Sequence, residues 1–125
     1  MKVCEAIENI KNLKPSQYSD EQLIAWLSEL DGTVWAGLLS RYTKDPAPAL
    51  PYSDKRDMGR ELLIPFPYDG VYMHWLGANI DYMNGETERY TNGMMMYNAK
   101  LQEFYNDYSR NHRVINPVFI KGVKA

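Results

Sequence analysis

Several residue types that mark common classes of protein are scarce in this chain of 125 residues. It has one cysteine, Cys4, which cannot form an internal disulfide and has no partner at zinc-ligand spacing. No stretch approaches the roughly 20 apolar residues that a transmembrane helix needs. The first residues carry Glu5 and Glu8 and no apolar run, so no signal peptide is expected. The formal net charge of −2 does not indicate a nucleic-acid-binding protein.

Catalytic and ligand-binding motifs are scarce as well. His74 lies seven residues before Asp81 in a helical pattern, but the spacing implies no nucleophile or second acid, which favours a structural or surface role. His112 ends a predicted helix, where a cation suits the negative end of the dipole. Glu86 and Glu88 follow an Asn-Gly turn that places acids in solvent, so no metal is expected there. Because phosphate-binding glycine motifs are also missing, the sequence predicts neither an enzyme nor a cofactor.

Helical periodicity dominates what is present. Residues 2–13 carry apolar side chains at steps of three and four, and Lys14-Pro15 ends this first helix. Ser19, with Gln22 at the capping-box spacing, begins a second helix that is predicted to run to about residue 41. Its apolar stripe keeps its phase across Gly32, which we interpret as a weak point within one helix.

The second half of the chain continues the same period. Its apolar positions are Leu76, Ile80, Met83, Tyr90, Met94, Tyr97, Leu101, Phe104 and Tyr108. They predict a third helix over 70–83, with Asp69 as its N-cap, and a fourth over 86–111. Asn84-Gly85 is expected to break the two. The predicted fold is therefore all-α, a small bundle of about four helices in one domain over 1–113.

Residues 43–64 are predicted to form a long proline-rich loop. A loop of this length in a compact domain is uncommon and is usually functional or mobile. Two readings remain open, a disordered surface loop or an arm that orders against a neighbouring subunit. The residues predicted to make the contact between subunits are Pro46, Pro48, Leu50, Tyr52, Arg56 and Arg60. The apolar segment 62–67 is expected to be extended and to pack across the bundle.

Residues 114–125 contain β-branched residues, a proline and a glycine, and are predicted to form an extended C-terminal arm. Residues 69–107 carry six acids and two bases, a net charge of −4, whereas 110–125 carry four bases and no acid. The arm either docks on an acidic partner or folds back on its own body. The residues predicted to bind the partner are Val114, Ile115, Pro117, Val118, Phe119, Ile120, Lys121 and Lys124.

Several short motifs resemble a group of proteins from tailed phages and prophages of Gram-positive bacteria, the head–tail connector or adaptor proteins. They are Lys14-Pro15, Tyr18-Ser19-Asp20, the run from Leu27 to Gly32, Pro67-Tyr68-Asp69, the run from Ile80 to Glu86, the run from Arg89 to Asn92, and Tyr97-Asn98. The resemblance covers about residues 3–113. These motifs mark helix starts, helix ends and packing positions.

The resemblance implies a structural virion protein. Connector proteins of this type form rings of about twelve copies beneath the portal protein. The rings extend the DNA channel, and they dock the next neck or tail-completion protein. DNA would pass without sequence-specific binding, because phosphate affinity comes from Lys and Arg and the helical body is acidic. The expected location is the neck of the virion, and the host cytoplasm during assembly.

Three other classes of function stay open. A non-enzymatic helical adaptor or regulator unconnected with virions would be a stable monomer or dimer. A small enzyme would show His74 buried beside Asp81 in a cleft. A DNA-binding regulator would use Arg110, Arg113, Lys121 and Lys124, with Tyr105, Tyr108 and Phe119 near them as stacking side chains.

Overall fold

The computed structural model describes residues 1–15 and 17–114, and in them the fold is all-α, as predicted. Four helices follow one another: α1 (Val3–Leu13), α2 (Asp20–Gly37), α3 (Val71–Met83) and α4 (Thr87–Asn111). A 3-10 turn over Leu39–Arg41 follows α2. Lys2 and Glu61 form a bridge pair, and no β-strand occurs in the described residues. No helix among them is long and apolar enough to cross a membrane.

The helix boundaries follow local signals in the sequence. The Ser19 side chain accepts a hydrogen bond from the Gln22 backbone N–H, at 3.2 Å, which confirms Ser19 as the N-cap of α2. Gly85 separates α3 from α4 with a φ of 74°, a left-handed conformation that costs glycine little. The Glu86 N–H donates to the Asp81 carbonyl and the Gly85 N–H donates to the Tyr82 carbonyl. This pair of bonds is a Schellman motif, and it turns the chain back along α3.

Two predicted boundaries were wrong. The second helix stops at Gly37, because the chain tightens into the 3-10 turn, and Leu38 and Leu39 are both buried there. Asp69 does not cap α3: the N-cap is Gly70, and no side chain bonds to the first turn. The Asp69 carboxylate instead lies 3.7 Å from the Met1 ammonium.

A single core lies among the helices, with α3 at its centre. Val71, Tyr72, Leu76 and Ile80 bury one side of α3 against α1 and α2. The longest helix, α4, packs mainly on α3 and buries only Tyr97 and Phe104 fully. Much of the surface of α4 therefore faces outward.

Residues 42–70 connect the 3-10 turn to α3 without a helix. The end of this connection lies against the start of the chain, since the Val3 N–H donates to the Arg60 carbonyl and the Leu62 N–H donates to the Met1 carbonyl. Leu62 and Ile64 are buried in the core. Within the segment 62–67, Leu62 and Ile64 thus pack on the bundle as predicted, whereas residues 65–67 are exposed and begin a turn, so the prediction was wrong for them.

Candidate functional site

The polar centre of the molecule is Asp31, which lies inside α2 and has no exposed surface. One of its carboxylate oxygens accepts from the Tyr72 hydroxyl at 2.5 Å. The other accepts from the Tyr52 hydroxyl at 2.5 Å and from the Leu63 backbone N–H at 3.1 Å. One side chain therefore joins α2, α3 and two points of the 42–70 connection.

These bonds fix the connection to the helices. The Ser28 hydroxyl accepts from the Tyr52 backbone N–H at 2.9 Å, and the Tyr72 hydroxyl accepts from the Ile64 N–H at 2.8 Å. These two buried backbone N–H groups thus have side-chain acceptors on the helices, as buried donors require. We call Ser28, Asp31, Tyr52, Leu63 and Tyr72 the Asp31 junction.

The environment of the Asp31 junction disfavours charge. Burial raises the pKa of the Asp31 carboxyl above its usual value, and the hydrogen bonds from the two tyrosines oppose that shift. Burial and the neighbouring carboxylate also raise the pKa of Tyr72 well above 10. Both tyrosines therefore remain hydrogen-bond donors, and the junction holds chain segments together instead of offering a reactive group.

A second carboxylate, Asp57, organises the outer part of the connection. It accepts from the Ser53 backbone N–H at 2.7 Å and from the Arg56 guanidinium at 2.8 Å. These hydrogen bonds lower its pKa to about 2. Arg60 donates to the Ala49 carbonyl at 3.0 Å, and its guanidinium lies 5.3 Å from the centre of the Tyr52 ring.

The six loop residues predicted to contact a neighbouring subunit lie in different environments. Tyr52 is buried in the junction of its own subunit, so its side chain is not available to a neighbour. Leu50 is half-buried against the core, and Pro48 is also partly covered. Pro46 and Arg56 are exposed. The role predicted for this loop stays a prediction.

A groove of about 380 Å³ lies between α1, α3 and α4. Small residues line its floor. A Cβ added at Gly77 would lie 3.9 Å from the Ile10 side chain, and one added at Gly93 would lie 3.4 Å from the Cβ of Ala78. Lys14 and Ile10 therefore lie over Gly77, and α4 lies over Ala78 of α3 at Gly93. We call this cavity the α1–α3–α4 groove.

One end of the groove holds an ion pair. The Lys14 ammonium donates to the Asp81 carboxylate at 2.6 Å, and Asp81 is almost completely buried. His74 lines the same groove, where burial and the nearby Lys100 lower its pKa, so the imidazole is neutral at pH 7. His74 and Asp81 thus line one groove, but His74 is only partly buried and Asp81 bonds to Lys14.

Groups of three or more metal-binding side chains do not occur in the described part of the chain. Arg89 and Asn92, from the first half of α4, form the other rim of the groove. The groove is therefore an apolar trough with an ion pair at one end and a guanidinium above it. That combination suits the binding of an apolar group with acidic neighbours.

Aromatic rings cluster at the C-terminal end of α4. Tyr108 and His112 stack at 3.7 Å, and Tyr42 meets Tyr108 edge-on at 5.2 Å. Arg110 lies 3.5 Å from the Asp107 carboxylate, and Tyr105 and Tyr108 are only partly exposed. Val114 is exposed. The predicted partner-binding residues beyond Val114 lie outside the described residues. They include Phe119, Lys121 and Lys124, which are also candidates for DNA contact.

Large apolar side chains are more than half exposed at several separate places. They are Leu13, Phe66, Tyr82, Met83, Met95 and Met96. Such residues mark surfaces that contact other proteins when they lie in a patch or project into a complementary pocket.

Sequence reasoning missed both the Asp31 junction and the groove. The position of Asp31 within the apolar stripe of α2 was the available signal, since an acid on a buried face needs donors from elsewhere in the chain. For the groove, the available indication in the sequence was the small size of Gly77, Ala78 and Gly93. The chain matches no protein-family model, no curated protein and no solved structure.

Proposed function

We propose that this protein is a structural component of the neck of a tailed phage. In this proposal, copies of the chain assemble into a homo-oligomeric ring of about twelve between the portal and the tail. The ring extends the DNA channel and docks the next neck or tail-completion protein. Its place is the virion, and the host cytoplasm during assembly.

The sequence motifs shared with connector proteins support the proposal. They fall at positions where the fold needs them: Tyr18-Ser19-Asp20 opens α2, and Asn84-Gly85-Glu86 forms the corner between α3 and α4. The run from Leu27 to Gly32 includes Asp31, the centre of the junction. A shared pattern of this kind fits a shared helical body.

The observation that carries the proposal is the wide distribution of exposed apolar side chains. They lie at the end of α1, in the turn before α3, at the end of α3 and on the outer face of α4. A ring subunit has two lateral neighbours and further proteins above and below it. Several separate apolar contact points fit that setting better than a monomer with a single binding site.

The C-terminal arm supplies the contact with the portal in this proposal. It follows the last turn of α4 and carries apolar residues together with Lys121 and Lys124. An extended segment of this composition can add to the edge of a sheet or lie in a groove of the partner. The proline-rich loop supplies a contact with an adjacent subunit or the next ring, through its exposed part around Pro46 and Arg56.

The charge distribution fits a channel for DNA. Residues 69–107 include most of α3 and α4 and carry six acids against two bases. An acidic wall repels phosphates, so DNA slides past it without being held.

The test is the mass of the purified protein, measured alone and mixed with the portal protein encoded beside it. We expect a ring-sized species, or a complex that forms with the portal. A variant that lacks residues 114–125 should keep its helical circular dichroism and lose portal binding. Unchanged portal binding would exclude the arm as the contact. A monomer or dimer indifferent to the portal would favour the alternative, a helical adaptor or regulator unconnected with virions.

A further inference from the structure

We infer that two copies of this chain join by insertion of Phe66 from one copy into the α1–α3–α4 groove of the next. The inference rests on the proposed function, since it names a contact between subunits of the ring. It concerns two different surfaces of one chain, which we call the Phe66 knob (Pro65, Phe66 and Pro67) and the α1–α3–α4 groove.

Phe66 is the most exposed large apolar side chain in the described residues, at 84% of its full accessible area. It lies in a β-turn, in which the Tyr68 N–H donates to the Pro65 carbonyl at 2.9 Å. Prolines on both sides restrict the backbone conformations of this turn. Because the turn is restricted, it holds the phenyl ring in water. Burial of this ring therefore requires a partner.

The knob is anchored on both sides by residues that pack on the core. Ile64 is fully buried, and its N–H donates to the Tyr72 hydroxyl of the Asp31 junction. On the other side, the ring of Tyr68 packs 5.6 Å from that of Phe104 in α4. Because the backbone that carries Phe66 is already fixed, little conformational entropy is lost when its ring binds.

The groove has the size and lining that an aromatic side chain needs. Its volume is about 380 Å³, and its floor consists of Gly77, Ala78 and Gly93. Ile10, Leu13 and Met73 add apolar surface at its sides. Leu13 is itself largely exposed at the rim, where an incoming ring would cover it. Pockets of this kind accept the aromatic anchors that dominate many protein interfaces.

The charges around the knob and the groove are of opposite sign. Glu61 and Asp69 flank the knob, and both carboxylates lie within 4 Å of the Met1 ammonium, which offsets part of their charge. At the groove, Arg89 is 71% exposed and lies 3.9 Å from Glu86, which offsets part of its charge, and Lys100, which is partly buried, lies near His74. Acids beside the inserted ring would therefore meet one exposed guanidinium, which orients the encounter.

The knob and the groove are separate surfaces of the subunit. Phe66 lies in the turn before α3 and does not line the groove, which follows α3 from Met73 to Asp81. A contact between two unlike surfaces leaves one knob and one groove unused in every pair. Repetition of the contact therefore closes a ring or extends a filament, whereas a two-fold contact would stop at a dimer.

The experiment measures the mass of the full chain and two variants in solution by light scattering and native mass spectrometry. Phe66→Ala removes the knob and keeps the groove. Asn92→Trp places a large side chain on the exposed rim and blocks the groove while the knob remains. Each variant alone should self-associate about 10- to 100-fold more weakly than the wild type, the amount expected for one buried phenyl group.

Mixing the two variants is the decisive step. Each mixed pair contains one intact knob and one intact groove, so the mixture should form 1:1 dimers and nothing larger. Gln102→Ala, at an exposed polar position of α4 outside the groove, is the control and should assemble like the wild type. Circular dichroism and urea unfolding check that all variants are folded.

Three results would overturn the inference: a monomeric wild type, variants that assemble like the wild type, or a mixture that gives no dimer. The proposed function is tested separately, by adding the portal protein. Rings of Phe66→Ala that still form on the portal would reject the knob contact and leave the neck function standing. A wild type that neither assembles nor binds the portal would reject both.

Discussion

Two aspartates in this protein are buried at helix positions that face the interior, but their partners differ in kind. Asp31 in α2 has only neutral donors, two tyrosine hydroxyls and a backbone N–H, all in the interior. Asp81 in α3 has a charged donor, Lys14, which reaches it from the end of α1 and is one-third exposed. The first site is closed and the second opens into a groove.

The two buried carboxylates therefore have different structural roles in one small domain. At Asp31, one bond joins α2 to α3 and two join α2 to the 42–70 segment, so the carboxylate fixes the position of a long connection that has no helix of its own. At Asp81, the ion pair stabilises the end of α1 beside a cavity that the glycines of α3 and α4 leave open. The first carboxylate stabilises the position of the 42–70 connection on the helices, and the second borders an open groove.

The largest expected effect comes from breaking the closed site. Asp31→Ala leaves two tyrosine hydroxyls and the Leu63 N–H without their acceptor and creates a cavity. We expect it to lower the free energy of unfolding by about 3–4 kcal/mol. Urea unfolding followed by circular dichroism measures the loss. Asp54→Ala, an exposed aspartate of the same connection, is the control and should change stability by less than about 0.5 kcal/mol.

A smaller effect is expected at the open site. Lys14→Met removes the partner of a buried carboxylate, but Lys14 is itself one-third exposed, so solvent already screens the pair. We expect a loss of about 1–2 kcal/mol, less than for a fully buried pair. The double variant Lys14→Met/Asp81→Asn should recover most of this loss. If 0.5 M salt does not reduce the difference between wild type and Lys14→Met, the ion pair is not its source.

The turn at Gly85 directs α4 back along α3, and the stability of the protein should depend on the backbone conformation of this turn. Gly85 has a φ of 74°, which an alanine adopts only at a cost. Gly85→Ala should therefore lower stability by about 1 kcal/mol. Gly70→Ala is the matched control, because that glycine has a helical φ and a Cβ there would meet nothing within 4 Å. Equal effects of the two substitutions would contradict the argument from φ.

The smallest effect is a difference in pH dependence between two carboxylates of the same connection. The raised pKa of Asp31 means that the folded protein binds its proton more readily than the unfolded chain does. The contribution of Asp31 to the free energy of unfolding is fully present below pH 3.8, the pKa of the group in the unfolded chain. It is lost as the pH rises through the pKa in the folded protein. The pKa of Asp57 is lowered to about 2, so its contribution is present above 3.8 and is lost as pH falls.

Unfolding midpoints of the wild type, Asp31→Asn and Asp57→Asn between pH 2 and pH 7 separate the two contributions. Relative to Asp31→Asn, the wild type should gain stability as the pH falls. Relative to Asp57→Asn, it should lose stability between about pH 4 and pH 2. If the wild type gained stability relative to both variants as the pH falls, or lost it relative to both, the pKa values of Asp31 and Asp57 would not be shifted in opposite directions.

Local patterns predicted the helices well. The positions of Ser19 and of Asn84-Gly85 located the start of α2 and the corner between α3 and α4, because capping and left-handed backbone are properties of a few neighbouring residues. The same reasoning failed for Asp69. Its residue type suits an N-cap, but its carboxylate lies beside the Met1 ammonium, a partner distant in sequence.

The sequence by itself determined the all-α class, the number of helices and most of their ends, since helical period and capping act within a few turns. Only the tertiary structure decided that Asp31 accepts from Tyr52 and Tyr72, residues 21 and 41 positions away. It also decided that Lys14 meets Asp81 across 67 positions, that Phe66 remains exposed and that the small residues of α3 and α4 leave a groove. These features depend on which distant segments meet, and no local pattern of residues carries that information.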